Sequence, residues 1–149
     1  TDRYFDISLG LRQHPLDVLP RLAVFVAVTA LLGLPAWAVA IVDLALIAGE
    51  FWEHLDVRLP PRLERSLGLV FATPGLHRLH HSAWRVQTDS NYGNFLIVWD
   101  RMFGTFRAVE PVARIGQGDA DDDLADDLLG QLLLPLRNPR RAIAAALKP

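Results

Sequence analysis

Three histidines within five positions are the clearest chemical feature of the sequence. His77, His80 and His81 follow Thr73-Pro74, a pair typical of a helix start because threonine caps the first N–H groups and proline suits the first helical position. On such a helix the three imidazoles share about 100° of the circumference. Imidazoles that converge from one rigid element are ligands that transition metals prefer. The spacing therefore favours a metal site over a solvated basic face.

A second set of candidates lies upstream. Asp43, Glu50 and His54 are spaced by seven and four residues, so they share one face of a helix. We predict His54 as a fourth imidazole ligand and Glu50 as a ligand or as the partner that orients His54; Asp43 is a weaker candidate. His14, directly before a proline, is a less certain ligand because this position also suits a structural role at a helix entrance.

Composition excludes several other classes of chemistry. The 149 residues contain no cysteine, which rules out a disulfide scaffold, a thiolate zinc site, an iron–sulfur cluster and a cysteine nucleophile. A net charge of −2 gives no general attraction for nucleic acid. The sequence also lacks a glycine-rich phosphate loop and the His-Glu-x-x-His order of zinc proteases.

A long apolar run must position the histidines. Between Leu22 and Gly49 the only charged residue is Asp43, whereas the middle of the run, Leu32–Ala36, contains the glycine and proline of a turn. We predict a membrane helical hairpin over residues 18–55. Arginines flank the hairpin but are absent from its turn, which places both ends in the cytoplasm. A soluble helical domain with a buried hairpin is an alternative that the lack of charge disfavours.

The remaining chain completes one predicted all-α domain. A cytosolic histidine region covers residues 56–110, and an acidic linker with a C-terminal helix covers 111–149. Within these regions we expect a short helix at 62–72, a turn at 89–94 and a closing helix at 128–136. Six of the nine residues from 119 to 127 are aspartate, so this segment is expected to be mobile.

Several motifs together resemble the fatty acid hydroxylase superfamily, which includes the sterol desaturases. Three blocks of this sequence resemble the C-terminal half of that superfamily: Thr73-Pro74-x-x-His77-Arg78-x-His80-His81-Ser82, Asp89-x-Asn91-Tyr92-Gly93 and Trp99-Asp100-Arg101-x-Phe103-Gly104-Thr105-Phe106. Two upstream elements also resemble it: Arg12-x-His14-Pro15-Leu16-Asp17 and Phe51-x-x-His54 followed by Leu59-Pro60. Leu55-Asp56 departs from the Ser-Asn that commonly comes after the latter histidine.

The resemblance implies a membrane-embedded, non-haem di-iron oxygenase. In that superfamily histidines at cytosolic helix ends hold iron, and dioxygen with two electrons serves to hydroxylate or desaturate a lipid such as a sterol or fatty acyl chain. An electron-donor protein is then an expected partner. The site is expected on the cytoplasmic side of a bacterial inner membrane or an ER-type membrane.

One departure from the superfamily concerns its two earlier histidine boxes, His-x-x-x-His and His-x-x-His-His. Neither box occurs in this sequence, and the segment from Tyr4 resembles the stretch that comes directly after the second box in the superfamily. We therefore expect the chain to be the C-terminal part of a larger enzyme and to be inactive alone, because its imidazoles are too few for two irons. The alternative from another class is a non-catalytic membrane protein with a structural or transport zinc site.

Overall fold

The described part of the chain is helical, as the sequence predicts. A computed structural model describes residues 4–116 and 128–137, and these contain no strand, only two isolated antiparallel bridges. A 3₁₀ helix at Ile7–Leu11 precedes seven α-helices: α1 Pro15–Leu31, α2 Ala36–Glu53, α3 Pro61–Leu67, α4 Pro74–His80, α5 Arg85–Thr88, α6 Val98–Phe103 and α7 Leu128–Arg137. The all-α prediction is confirmed for these residues.

Helices α1 and α2 cover the two segments that were expected to form a hairpin, and residues 32–35 join them. Helix α1 begins at Pro15, earlier than expected, because the Nδ1 atom of His14 accepts a hydrogen bond from the Leu16 backbone N–H at 3.1 Å. Pro20 lies within α1. Because it lies beyond the first turn, its ring removes one intrahelical hydrogen bond, the one to the carbonyl of Leu16.

The side chains of the two arms are unusually exposed. Helix α1 has no buried residue, and in α2 only Gly49 and Glu53 are buried. The exposed apolar side chains include Val24, Leu31, Trp37, Ile41, Leu44 and Ile47. Among the described residues, no single helix combines the length and the apolar character needed to cross a bilayer. The two helices are thus confirmed, and their insertion into a membrane stays a prediction.

The buried core lies at the far end of α2, where this helix packs against the 3₁₀ helix and α4. The side chains of Leu79 and Ile97 are fully buried there. The indole Nε1 of Trp52 donates to the carbonyl of Ala72 at 2.9 Å, which ties α2 to the segment that enters α4. Thr73 caps α4, accepting from the Leu76 N–H at 3.2 Å, so the predicted helix start is confirmed.

Residues 89–107 brace α4 through two buried polar side chains. The Nδ2 of Asn91 donates to the carbonyls of Leu76 and Arg107, both at 3.0 Å. The carboxylate of Asp100 accepts from the N–H groups of Tyr92 and Gly93, both at 2.8 Å, and from the Thr105 hydroxyl at 2.6 Å. A Cβ at Gly93 would lie 2.4 Å from the Leu96 carbonyl oxygen, so only glycine fits there.

Two other expectations need correction or fall outside the structure. The helix expected at 62–72 ends at Leu67, because the chain then turns and pairs Phe71 with Leu96 in an isolated bridge. The closing helix is present as α7, Leu128–Arg137, in a separate compact unit. The expected mobile segment at 119–127 lies outside the described residues.

Asp100→Asn should destabilise the fold strongly. The amide keeps the side-chain size but turns one acceptor into a donor that faces buried N–H groups. We expect the free energy of unfolding to fall by about 2 kcal/mol or more, measured by denaturant titration with tryptophan fluorescence. Asp89→Asn is the matched control, because its carboxylate is half exposed and pairs with Arg85; its effect should stay below about 0.5 kcal/mol. Equal losses for both variants would contradict this role of Asp100.

Candidate metal centre

Three imidazoles meet where α2 and α4 end. The Nε2 atoms of His54 and His77 lie 3.2 Å apart, those of His54 and His81 3.2 Å apart, and those of His77 and His81 2.9 Å apart. Nitrogen ligands about 2.1 Å from one ion, at tetrahedral or octahedral angles, are about 3.0–3.4 Å from one another. The triangle of Nε2 atoms therefore has the dimensions of three ligands on one face of a metal ion.

The hydrogen-bonding state of these rings also fits a metal site. The Nδ1 of His54 lies 2.7 Å from the Glu50 backbone carbonyl, which can only accept, so Nδ1 carries the proton and Nε2 a lone pair. Within residues 4–116 the buried Nδ1 of His77 has no hydrogen-bond partner. The Nε2 lone pair of His54 therefore faces the Nε2 atoms of His77 and His81, where it can accept a hydrogen bond from a protonated Nε2 or bind a cation.

Burial keeps two of the rings neutral. Burial lowers the pKa of His77 well below its ordinary value, and the nearby His81, His54 and His80 lower it further. Burial likewise lowers the pKa of His81 to about 3, assisted by His80 and His54. Because neutral imidazole is the form that binds a metal, these rings are ready for coordination at neutral pH.

Two carboxylates of α2 adjoin the triangle. Glu50, Glu53 and His54 each place a potential ligand atom within 4.8 Å of the others. The Oε1 of Glu50 lies 3.7 Å from His54 Nδ1, and its Oε2 accepts from the Asn94 amide at 2.7 Å. Glu50 is a candidate from the sequence, whereas Glu53 is not, although Glu50, Glu53 and His54 have the spacing i, i+3, i+4 that places them on one side of a helix.

The other histidine candidates lie outside the triangle. The Nδ1 of His80 donates to the Ser90 carbonyl at 3.0 Å, and its ring stands edge-on to Tyr92 with centroids 5.2 Å apart. His14 caps α1, and Asp43 is exposed on α2. Neither His80, His14 nor Asp43 belongs to a cluster of three or more ligand atoms in the described part of the chain.

Phe5 covers the triangle, which no sequence signal indicated. Its ring stacks on His54 with centroids 5.7 Å apart and meets the edge of His81 at 5.5 Å. The Arg78 guanidinium lies 4.6 Å from the centroid of the Phe5 ring and holds it in place. A Cβ at Gly10 would lie 2.8 Å from Glu50 Cγ, so a glycine lets the 3₁₀ helix bring Phe5 this close.

An open cavity of about 460 Å³ lies between α2, residues 92–94 and α6, and none of its lining residues is a histidine. Leu46, Trp99 and Phe103 give it apolar walls. The polar side of the cavity consists of Asn94 and Tyr92. Asn94 also donates to Glu50, and Tyr92 contacts the His80 ring. A ligand in this cavity would therefore contact residues that themselves contact the candidate metal ligands.

Comparison with known proteins shows the family of this chain. The family model described as fatty acid hydroxylase matches residues 1–105, a stretch that contains every candidate histidine. The chain belongs to the fatty acid hydroxylase family. The resemblance seen in the sequence motifs is thereby confirmed.

Individual relatives of this family member are enzymes named for lipid substrates. It is 38% identical over 109 residues to the ornithine lipid hydroxylase OlsE of Rhizobium tropici, covering 70% of this chain and 26% of the relative. It is 35% identical over 106 residues to the alkylglycerol monooxygenase of Homo sapiens, covering 70% and 22%. The chain thus spans about a quarter of the length of these relatives. No solved structure gives a significant match.

Alanine at any corner of the triangle should lower the metal content. We expect His54→Ala, His77→Ala and His81→Ala in the full-length protein each to remove most of one metal ion per chain, because each deletes a nitrogen that no neighbour replaces. Elemental analysis after purification measures this. Arg85→Ala, which changes a half-exposed side chain paired with Asp89, is the control and should keep the full metal content. Normal occupancy in all three histidine variants would refute the assignment.

Proposed function

We propose that this chain forms part of a membrane-bound, iron-dependent oxygenase that hydroxylates or desaturates a lipid. The observation that carries the proposal is the triangle of Nε2 atoms on His54, His77 and His81, 2.9–3.2 Å apart. Family membership supports oxygenase chemistry, since the relatives are named as a lipid hydroxylase and a monooxygenase.

Each residue of the centre has a separate task in this proposal. His54, His77 and His81 hold one metal ion, and Glu50 orients His54 through its backbone carbonyl. His80 presents an Nε2 lone pair because its Nδ1 donates to Ser90; it and the less certain His14 are available to a second ion held mainly by histidines outside this sequence. When bound, a di-iron centre supplies the redox chemistry that uses dioxygen and two electrons, from a donor protein, to attack a C–H bond.

The cavity beside the centre supports a lipid substrate. Its apolar walls, Leu46, Trp99 and Phe103, suit an acyl or alkyl chain, because burial of apolar surface is the main attraction for such a ligand. Leu46 lies on the apolar arm α2, so a lipid could approach along the hairpin. The polar groups of Asn94 and Tyr92 are placed to contact an oxygen-bearing part of the lipid near the centre.

The exposed apolar arms support a membrane location. Trp37, Ile41, Leu44 and Ile47 of α2 are exposed, and an apolar surface of this extent needs to be covered. We propose that a bilayer covers it, with the turn at Gly33–Ala36 on the periplasmic or lumenal side. The histidine centre then lies on the cytoplasmic side, where the arginines of the sequence concentrate.

Cysteine labelling tests this orientation. In a full-length background without other cysteines, Ala36→Cys in the turn should react with a membrane-impermeant maleimide in intact cells. Val86→Cys, an exposed position near the centre, should react only after the membrane is made permeable. Both positions are exposed in the structure, so a difference reports the membrane side rather than burial. The reverse pattern would show that the orientation is wrong.

Turnover requires the longer protein. We expect the full-length protein, purified in detergent with iron and a reductant system, to consume dioxygen and oxidise a lipid from a panel of ornithine lipids, alkylglycerols, sterols and fatty acyl lipids. The 149-residue chain should bind at most one metal ion and form no product, because its imidazoles cannot surround two irons. Two irons and turnover in the short chain would contradict the proposal. Zinc without oxygen-dependent turnover in the full-length protein would favour the non-catalytic alternative.

A further inference from the structure

Glu53 is the one carboxylate of α2 that is fully enclosed at the metal centre. Its side chain is about 2% exposed, compared with 20% for Glu50. Within the described part of the chain its Oε2 has no hydrogen-bond partner. A buried carboxylate without donors is costly unless a cation or a proton compensates it, so Glu53 needs a positively charged partner or a proton.

Glu53 adjoins the triangle at His77, although its closest cluster of potential ligand atoms is the one it forms with Glu50 and His54. Its Oε1 lies 3.7 Å from the Nε2 of His77, which is too long for a hydrogen bond. Two ligand atoms that are each about 2.1 Å from one ion lie about 3 Å apart when they are adjacent and about 4.2 Å apart when they are opposite. The 3.7 Å between Glu53 and His77 lies within this range. Glu50 differs, because its Oε2 already accepts from Asn94.

The negative charge of an ionised Glu53 would balance part of the charge of a bound divalent ion. Three neutral imidazoles leave the charge of a divalent ion unbalanced in a buried space, and Glu53 is the buried carboxylate within residues 4–116 that lies 3.7 Å from the Nε2 of His77. We propose that Glu53 is the anionic fourth protein ligand of the ion held by His54, His77 and His81. This inference rests on the proposed function only in requiring that these histidines bind a metal ion.

The ligand set has a consequence for metal choice. A carboxylate oxygen beside three imidazole nitrogens suits iron(II), zinc(II), manganese(II) and cobalt(II), and it disfavours copper(I), which prefers soft sulfur ligands. A single negative charge also leaves a bound divalent ion with a net positive charge. The centre can therefore still attract a second anionic or electron-rich ligand at an open position.

Cobalt(II) binding to the full-length protein in detergent tests the role of Glu53. Glu53→Gln keeps the size of the side chain and removes its charge, and it should weaken cobalt(II) binding by about 100-fold in competition with a chelator. Removal of groups that only support a ligand costs about 10–100-fold. Glu110→Gln is the matched control, because the same change is made at a half-exposed carboxylate paired with Arg107; its affinity should be unchanged.

Infrared difference spectra separate ligation from support. Metal-loaded minus metal-free spectra should show a carboxylate band shift in the wild type and in Glu110→Gln that is lost in Glu53→Gln. If Glu53→Gln does not fold, Glu53→Asp should keep the band with an altered cobalt absorption spectrum. If Glu53→Gln keeps the wild-type affinity and the band, the role of Glu53 is overturned and the proposed function is not. The same holds if the band is lost in Glu50→Gln and kept in Glu53→Gln. Failure of the wild type to bind cobalt(II) would instead overturn the proposed function.

Discussion

The structure depends on the close approach of three imidazole nitrogens where α2 and α4 end. Three Nε2 atoms about 3 Å apart can share protons or hold a cation. The buried carboxyl group of Glu53, whose Oε2 has no hydrogen-bond partner within residues 4–116, needs a cation or a proton as well. The surrounding fold nevertheless holds these groups together: Trp52 ties α2 to the entrance of α4, Asn91 braces α4 from the other side, and Phe5 covers the rings. A bound cation is attracted by all three nitrogens at once and thereby stabilises the centre.

Much of this arrangement could be predicted from the sequence, because it depends on local chemistry. Thr73-Pro74 marks the start of α4 through a side-chain cap and a proline that needs no donor. The spacing of His77 and His81 places both rings on one side of that helix, and the apolar arms end close to His54. The family motifs added the expectation that these histidines share a metal, which agrees with the distances between their Nε2 atoms.

Other parts could not be predicted, because they depend on contacts between distant segments. His80 belongs to the same histidine motif but turns to the Ser90 carbonyl, a choice that depends on how residues 89–107 fold back on α4. Phe5 reaches the rings only because Gly10 allows the 3₁₀ helix to approach Glu50. Glu53 has an informative spacing, but its burial distinguishes it from Glu50 only in three dimensions.

Anomalous X-ray scattering from the metal-loaded full-length protein tests the central claim most directly. Data collected on both sides of the absorption edge of the bound metal locate the ion without reference to any ligand assignment. The account predicts a peak about 2.1 Å from the Nε2 atoms of His54, His77 and His81. A peak that contacts at most one of these three nitrogens, or that lies among other residues, would contradict it.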